Sequence, residues 1–364
     1  LKKFLADKKP NAYERLVDEL LASPRYGEHQ ARYWLDAVRY GDTHGLHLDN
    51  KRGIYPYRDW VVRSFNQNQP LDEFLTWQLA GDLLPKPTLA QLVATGFVRM
   101  NPTTAEGGAI PAEFQAKNNF DRVETLGTAL LGMSLTCARC HTHKYDPIPQ
   151  KEYYRMMAFF NSTAEPSMDG NKYEFGPTIK APSDIAAWNK WEALNAKHVS
   201  LTKQASAKPE LKEQAAAVAK EIAEFKKSFK PSLIARDLPK PRETKLLERG
   251  EYNLPKGESL KPDVFAVMGT LPKGAPANRL GLAQWLTARG HPLVSRVLIN
   301  RVWQRTFGEG LVRTPADFGL QGEQPTHPEL LDWLAVELQD RKWNLKVMLR
   351  LMVTSRTFKQ SSAY

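Results

Sequence analysis

Apolar residues three or four positions apart recur along most of this chain, and this spacing restricts its fold more than any other feature. In the segment NAYERLVDELLAS the spacing places five apolar side chains on one helical face: Tyr13, Leu16, Val17, Leu20 and Leu21. The pattern fills most of the first 165 residues and returns from residue 278 onward. Near the end, PTHPELLDWLAVELQDRKWNLKVMLRLMVTSRTF predicts two helices, with Thr326 as N-cap and Pro328 in the first turn. The sequence therefore predicts a mainly α fold.

The middle of the chain differs in composition. Residues 183–231 are rich in Ala, Lys and Glu, and the break ASAKPEL divides them into two helices, which predicts an antiparallel helical hairpin. From residue 232, short apolar runs alternate with Pro and Gly, a pattern typical of a few short strands and loops. We therefore expect a helical N-terminal domain over 1–182, the hairpin insertion, and a second mainly helical domain over 232–364.

The chain has 364 residues and a net charge of +11, which suits a polyanionic partner such as an anionic glycan. Because no nucleic-acid-binding motif accompanies this charge, we expect no nucleic-acid partner, and a solvated positive surface is the simpler explanation. We also expect no membrane span, since there is no run of eighteen apolar residues. The sequence opens at Leu1 without Met, so we expect a fragment or a processed form.

The two cysteines of the chain stand together in the segment CARCHTHKYDPIPQKEYY, as Cys137 and Cys140, directly before His141. This Cys-x-x-Cys-His spacing is that of a covalently attached c-type haem, with the histidine as iron ligand. A zinc or iron site that adds His143 to these three residues is a second interpretation, although zinc sites usually draw a ligand pair from further along the chain. A redox-active dithiol is the third.

Two polar loops precede this segment. The first, GDTHGLHLDNKRGIYPYRDW, supplies His44 and His47 as candidate distal iron ligands. Four methionines are the thioether alternatives: Met100, Met133, Met156 and Met157. The second, NPTTAEGGAIPAEF, leads into a predicted helix over FDRVETLGTALLGMSLT, which delivers the cysteines.

Long segments of the chain resemble the planctomycete-type cytochrome c family, which pairs two domains of unknown function, DUF1549 and DUF1553. The resemblance lies in CARCHTHKYDPIPQKEYYRMMAFFNS, YERLVDELLASPRYGEHQARYWLD, YPYRDWVVRSFNQNQPLDEFLTWQLAGDLLP and ATGFVRMNPTTAEGG, and for the second domain in NRLGLAQWLTARGHPLVSRVLINRVWQRTFGEGL. It implies covalent haem c on Cys137 and Cys140, His141 as proximal ligand, and a periplasmic or secreted location. It also implies a chain that continues at both ends and a role beside polysaccharide degradation. The family usually has a small polar residue at position 44, so ligation by His44 would be particular to this chain.

Three functions follow as hypotheses. The first is a haem-dependent oxidoreductase or electron-transfer protein that acts in extracellular polysaccharide degradation, with a carbohydrate and a redox protein as partners. The second is a non-redox glycan hydrolase or lyase with a structural haem, and the third is a glycan-binding module. Five residues are the candidate catalytic groups: Asp42, Asp59, His143, Tyr145 and Asp146. Pairing of such carboxylates with nearby arginines in structural salt bridges is the alternative.

Overall fold

The computed structural model describes residues 2–46 and 48–361. In this part of the chain about 52% of the residues are helical, most of them in fourteen α-helices and the rest in short 3₁₀ and π segments, and the mainly α prediction is confirmed. The helices are α1 (Lys2–Ala6), α2 (Ala12–Ala22), α3 (Arg25–Ala37), α4 (Tyr55–Asn66), α5 (Leu71–Ala80), α6 (Leu89–Ala94), α7 (Pro111–Leu126), α8 (Gln150–Ala158), α9 (Ile185–Ala205), α10 (Leu211–Phe225), α11 (Arg279–Leu286), α12 (Val294–Phe307), α13 (Pro328–Asp340) and α14 (Leu345–Val353).

Four short strands form two antiparallel pairs in the described part of the chain. The strand β1 (Thr178–Ala181) pairs with β2 (Lys230–Leu233), and β3 (Leu246–Leu247) pairs with β4 (Pro255–Lys256). The first pair joins the two ends of the α9–α10 hairpin. The hairpin has a small apolar core of its own, formed by Leu194, Val218 and Ile222.

Three local predictions differ from the structure. The helix α7 begins at Pro111, nine residues before Phe120, because proline suits the first turn of a helix and Ile110 before it is extended. The N-cap of α13 is His327 rather than Thr326, since Pro328 again starts the helix. Leu20, expected on the apolar face of α2, is 60% exposed.

One hydrophobic core contains side chains from both the early and the late helices. It includes Trp60 and Phe74 from α4 and α5, and Leu282, Ile299 and Met348 from α11, α12 and α14. At its edge Arg279 is fully buried and donates to both carboxylate oxygens of Asp82, at 2.9 and 2.7 Å. Helices of the predicted first domain, 1–182, and of the predicted second domain, 232–364, therefore share one core. No helix of the described residues combines the length and the apolar character needed to cross a bilayer.

Candidate functional site

The Cys-x-x-Cys-His segment forms a short 3₁₀ turn, Thr136–Arg139, at the surface. The carbonyl oxygen of Cys137 accepts the backbone N–H groups of Cys140 and His141, both at 3.4 Å. Both thiols are free and exposed. The turn thus presents two unpaired sulfur nucleophiles to solvent within one turn of backbone.

His141 follows the turn with its ring exposed. Its Nδ1 lies 2.7 Å from the carbonyl oxygen of Thr142, so a proton on Nδ1 is donated to this oxygen. That hydrogen bond fixes the tautomer in which Nε2 carries a free lone pair, the usual state of an imidazole that ligates a metal.

Two side chains of α8 donate hydrogen bonds to the turn. The hydroxyl of Tyr154, a buried residue, and the Nε2 of Gln150 both donate to the carbonyl oxygen of Arg139, at 2.9 and 3.0 Å. Both also donate to the carbonyl of Leu247, at 3.3 and 3.4 Å, so the turn is tied to β3. This gives Gln150 and Tyr154, which follow the motif in the sequence, a structural role.

Gly250 closes one side of the site with a backbone φ of +76°. A Cβ at this position would lie 3.2 Å from the Sγ of Cys140 and 3.1 Å from the Cγ of Arg139. Glycine adopts this left-handed backbone without strain and lets the chain pass close to this sulfur. The two free thiols and the oriented imidazole fit the attachment of a c-type haem.

Charged groups flank the turn. Arg139 lies 3.7 Å from Glu124, whose pKa is raised by burial although the guanidinium opposes this.

Among the described residues, His, Cys, Asp and Glu side chains form no group of three or more arranged to hold a single metal ion.

His143, Tyr145 and Asp146, predicted as catalytic, have unequal surroundings. His143 and Asp146 are buried, and the Nδ1 of His143 accepts the backbone N–H of Asp146 at 2.9 Å. The Oδ1 of Asp146 in turn accepts the N–H of Leu320 at 2.7 Å. Tyr145 is 45% exposed, with the Nζ of Lys144 5.2 Å from the centre of its ring. The buried pair thus connects the motif to a distant loop.

Asp42 and Asp59 are brought together through Arg58 at the start of α4. The guanidinium lies 3.0 Å from Asp59 and 3.7 Å from Asp42, and the hydroxyl of Tyr40 donates to Asp42. Asp59 is buried whereas Asp42 is exposed. Burial raises the pKa of Asp59, while Arg58 opposes the shift. The cluster is a salt bridge around Arg58, the alternative to catalysis that the sequence offered. Within it, Asp59 is the carboxyl that is protonated more readily.

His44, the candidate distal ligand, is 1% exposed. Its Nδ1 lies 3.0 Å from the Oγ1 of Thr103 and 2.7 Å from the Oδ2 of Asp169, and its ring faces Phe175. His47 lies outside the described residues. The four methionines are buried: Met100, Met133, Met156 and Met157. The distal assignment stays a prediction.

Sequence reasoning missed Gly250, Glu124 and Leu320 as neighbours of the motif. Gly250 and Leu320 lie about 110 and 180 positions beyond it in the chain, and Glu124 carries no distinguishing local pattern. Only the packing of β3 and of the loop before α13 brings Gly250 and Leu320 to the motif.

Comparison with known families is consistent with this organisation. Residues 1–165 match PSCyt2, a protein of unknown function (DUF1549), and residues 278–364 match PSD1, a protein of unknown function (DUF1553). Searches of curated proteins and of solved structures gave no significant match. Matches to the DUF1549 and DUF1553 models are therefore both present, in the order that the sequence predicted.

Proposed function

We propose that this chain is a c-type haem protein with a redox function. Cys137 and Cys140 would hold the haem through thioether bonds, and His141 would ligate its iron through Nε2. The observation that carries the proposal is the pair of free, exposed thiols followed by an exposed imidazole whose Nδ1 is bound to the Thr142 carbonyl. The haem would supply one-electron chemistry, while the chain fixes its proximal ligand and surrounds it with charge.

The redox function is proposed to act outside the cytoplasm, beside polysaccharide degradation. This part is supported by the resemblance of the sequence to a family of exported proteins and by the net charge of +11. Thioether formation needs reduced thiols, and both cysteines are free.

The test is production of the chain in a host that attaches haem c. We expect a Soret band that survives acid–acetone extraction, and its loss in the Cys137→Ser, Cys140→Ser double variant. In His141→Ala the thioethers form but the reduced spectrum changes, whereas His29→Ala, which replaces another exposed histidine, leaves it unchanged. Wild-type protein without covalent haem under these conditions would contradict the proposal. Carbon monoxide binding then distinguishes an open sixth position from a ligated one.

A second candidate function is carboxylate-based glycan cleavage at Asp42 and Asp59. The specific observation is the raised pKa of the buried Asp59 next to the exposed Asp42, since unequal carboxyls can serve as acid and base. The test is release of reducing sugar without an electron acceptor. This candidate requires that Asp59→Asn abolishes release and that His141→Ala retains it; release that needs His141 excludes it.

A further inference from the structure

A groove separate from the Cys motif lies between the main body and the helical hairpin. Its volume is about 630 Å³, and α4, α5 and α9 contribute to its walls. Four tryptophans line it: Trp60, Trp77, Trp188 and Trp191. Trp60 and Trp188 are 1% exposed, whereas Trp77 and Trp191 are half-buried.

Three hydrogen-bond donors on the lining have no hydrogen-bond partner among the described residues. They are the Nε of Arg63, the Nε2 of Gln69 and the Nε1 of Trp188. Arg63 is 3% exposed, and its guanidinium lies over the Trp188 ring at 4.6 Å while forming an ion pair with Glu192. A buried donor without an acceptor costs about 1–3 kcal/mol. These three atoms have almost no accessible surface, so a ligand oxygen gains this energy where a small shift of the lining side chains brings it to them.

The charges of the groove decide between ligand classes. Among the lining residues Arg63 contributes one positive charge and Glu73 and Glu192 two negative ones, and the Nζ of Lys226 lies 5.1 Å from the centre of the Trp191 ring. The charges balance, so the groove does not share the basic charge of the whole chain and favours a neutral ligand over a polyanionic one. Aromatic rings pack against the apolar C–H faces of sugars, and hydroxyl groups can accept from Gln69 while donating to the exposed Glu73. A proline-rich peptide offers acceptors to the same donors but has few N–H groups for the carboxylates.

We propose that this groove binds a neutral oligosaccharide. The hairpin then has a defined role, because Trp188 and Trp191 both lie on α9 and form the wall opposite α4 and α5. The groove binds its ligand whether or not haem is attached, so failure of the haem proposal leaves this one standing, and the reverse also holds.

The test measures binding to the full chain, with and without haem attachment, by calorimetry and by tryptophan fluorescence. The probes are neutral hexasaccharides of glucose, xylose and mannose, a sulfated hexasaccharide, and a decapeptide rich in proline. The variants are Trp191→Ala and Gln69→Ala, and the matched control is Trp333→Ala, which removes a tryptophan 49% exposed on α13. Thermal unfolding of each variant verifies that it is folded.

We expect at least one neutral hexasaccharide to bind, and each groove variant to weaken binding about tenfold, the equivalent of about 1.4 kcal/mol. Trp333→Ala should bind as the wild type does. Four outcomes would overturn the proposal: no neutral saccharide binds, the sulfated one binds more tightly, only the peptide binds, or both groove variants retain full affinity. Gln69→Ala, a change at the groove surface, keeps the test decisive if Trp191→Ala does not fold.

Discussion

Glu165 illustrates how strongly single side chains are constrained in this protein. It is 4% exposed, and it pairs with Arg122 and accepts the hydroxyl of Thr163 at 2.7 Å. Burial alone would raise its pKa, but the guanidiniums of Arg122 and Arg99 reverse the effect and lower the pKa to about 2. The ionised form therefore stabilises the folded state.

This shift predicts an acid-dependent loss of stability. Because the pKa is lower in the folded state than the ordinary 4.5, the contribution of Glu165 is complete above about pH 4.5 and declines as the pH falls toward 2. At pH 7 we expect Glu165→Gln to reduce the free energy of unfolding by about 3–5 kcal/mol, since it leaves two buried arginines short of a partner. Urea denaturation at several pH values should show this difference shrinking with acid. A difference that is constant with pH would contradict the assignment, and Glu210→Gln, at an exposed site, is the control.

Gly250 gives a second prediction at the same scale, with a matched control in Gly257. Their φ angles are +76° and +77°, but a Cβ at Gly257 meets nothing within 4 Å, whereas one at Gly250 meets Cys140 and Arg139. Alanine should cost about 1–2 kcal/mol at either position through the backbone. We expect Gly250→Ala to cost more and to slow alkylation of the Cys140 thiol, measured in a Cys137→Ser background without haem. Equal stability loss and equal alkylation rates in the two variants would show that a Cβ at residue 250 does not crowd the Cys140 thiol.

Among the elements, the segment between the Cys motif and α8 connects sequence-distant parts. Asp146 receives the N–H of Leu320, and a Cβ at Gly319 would lie only 2.5 Å from its Oδ1, so the loop approaches closely because residue 319 is glycine. Phe318 next to it donates its N–H to the carbonyl of Gly132 at 2.6 Å. The loop before α13 is thus fastened to both ends of the segment that carries the motif.

The contact predicts a local effect on hydrogen exchange. Asp146→Ala removes a hydrogen bond to a charged acceptor, worth about 1.5–3 kcal/mol, and should accelerate exchange of the Leu320 amide while helices away from the loop stay protected. Hydrogen-exchange mass spectrometry of the peptide around residue 320 measures this. Tyr145→Ala, which changes the exposed neighbour, should leave the exchange unchanged; acceleration in both variants would argue against a specific role for Asp146.

Across the whole molecule, Arg279 joins three parts of the chain. Besides Asp82 it contacts Asp237 at 3.0 and 2.9 Å and donates to the carbonyl of Leu79 at 2.6 Å. Desolvation would lower the pKa of this guanidinium, but the two carboxylates outweigh it and raise the pKa. These contacts unite the region matched by the first family, the connecting segment and the region matched by the second.

We predict that Arg279→Met destabilises the entire fold. It leaves Asp82 and Asp237, both partly buried, without their cation, which should cost about 3 kcal/mol. Because early and late helices share one core, urea unfolding followed by fluorescence and by circular dichroism should shift together as a single transition. Arg289→Met, which breaks a surface pair with Asp340, should cause a much smaller shift. Two separate transitions would instead indicate regions that unfold independently.

Local spacing determined the helices, the hairpin and the Cys-x-x-Cys-His segment, since each depends on residues within about one to five turns of one another. The periodicity could not place Leu20, because an amphipathic pattern does not say how much of a helix face is covered. The periodicity also could not predict the surroundings of His143 and Asp146. Both are buried, and Asp146 accepts a hydrogen bond from Leu320 in a distant loop. Asp42 and Asp59 both contact Arg58, a contact that the sequence did not specify, and their catalytic role stays a prediction.

The sequence by itself determined a mainly α protein and two thiols, three positions apart, followed by histidine. Both features depend on residues that lie close together in the chain. Only the tertiary structure decided what surrounds those thiols and where the tryptophans of α4, α5 and α9 converge. Such convergence depends on packing between segments more than a hundred residues apart, Trp60 and Trp188 among them, and no local pattern encodes that distance.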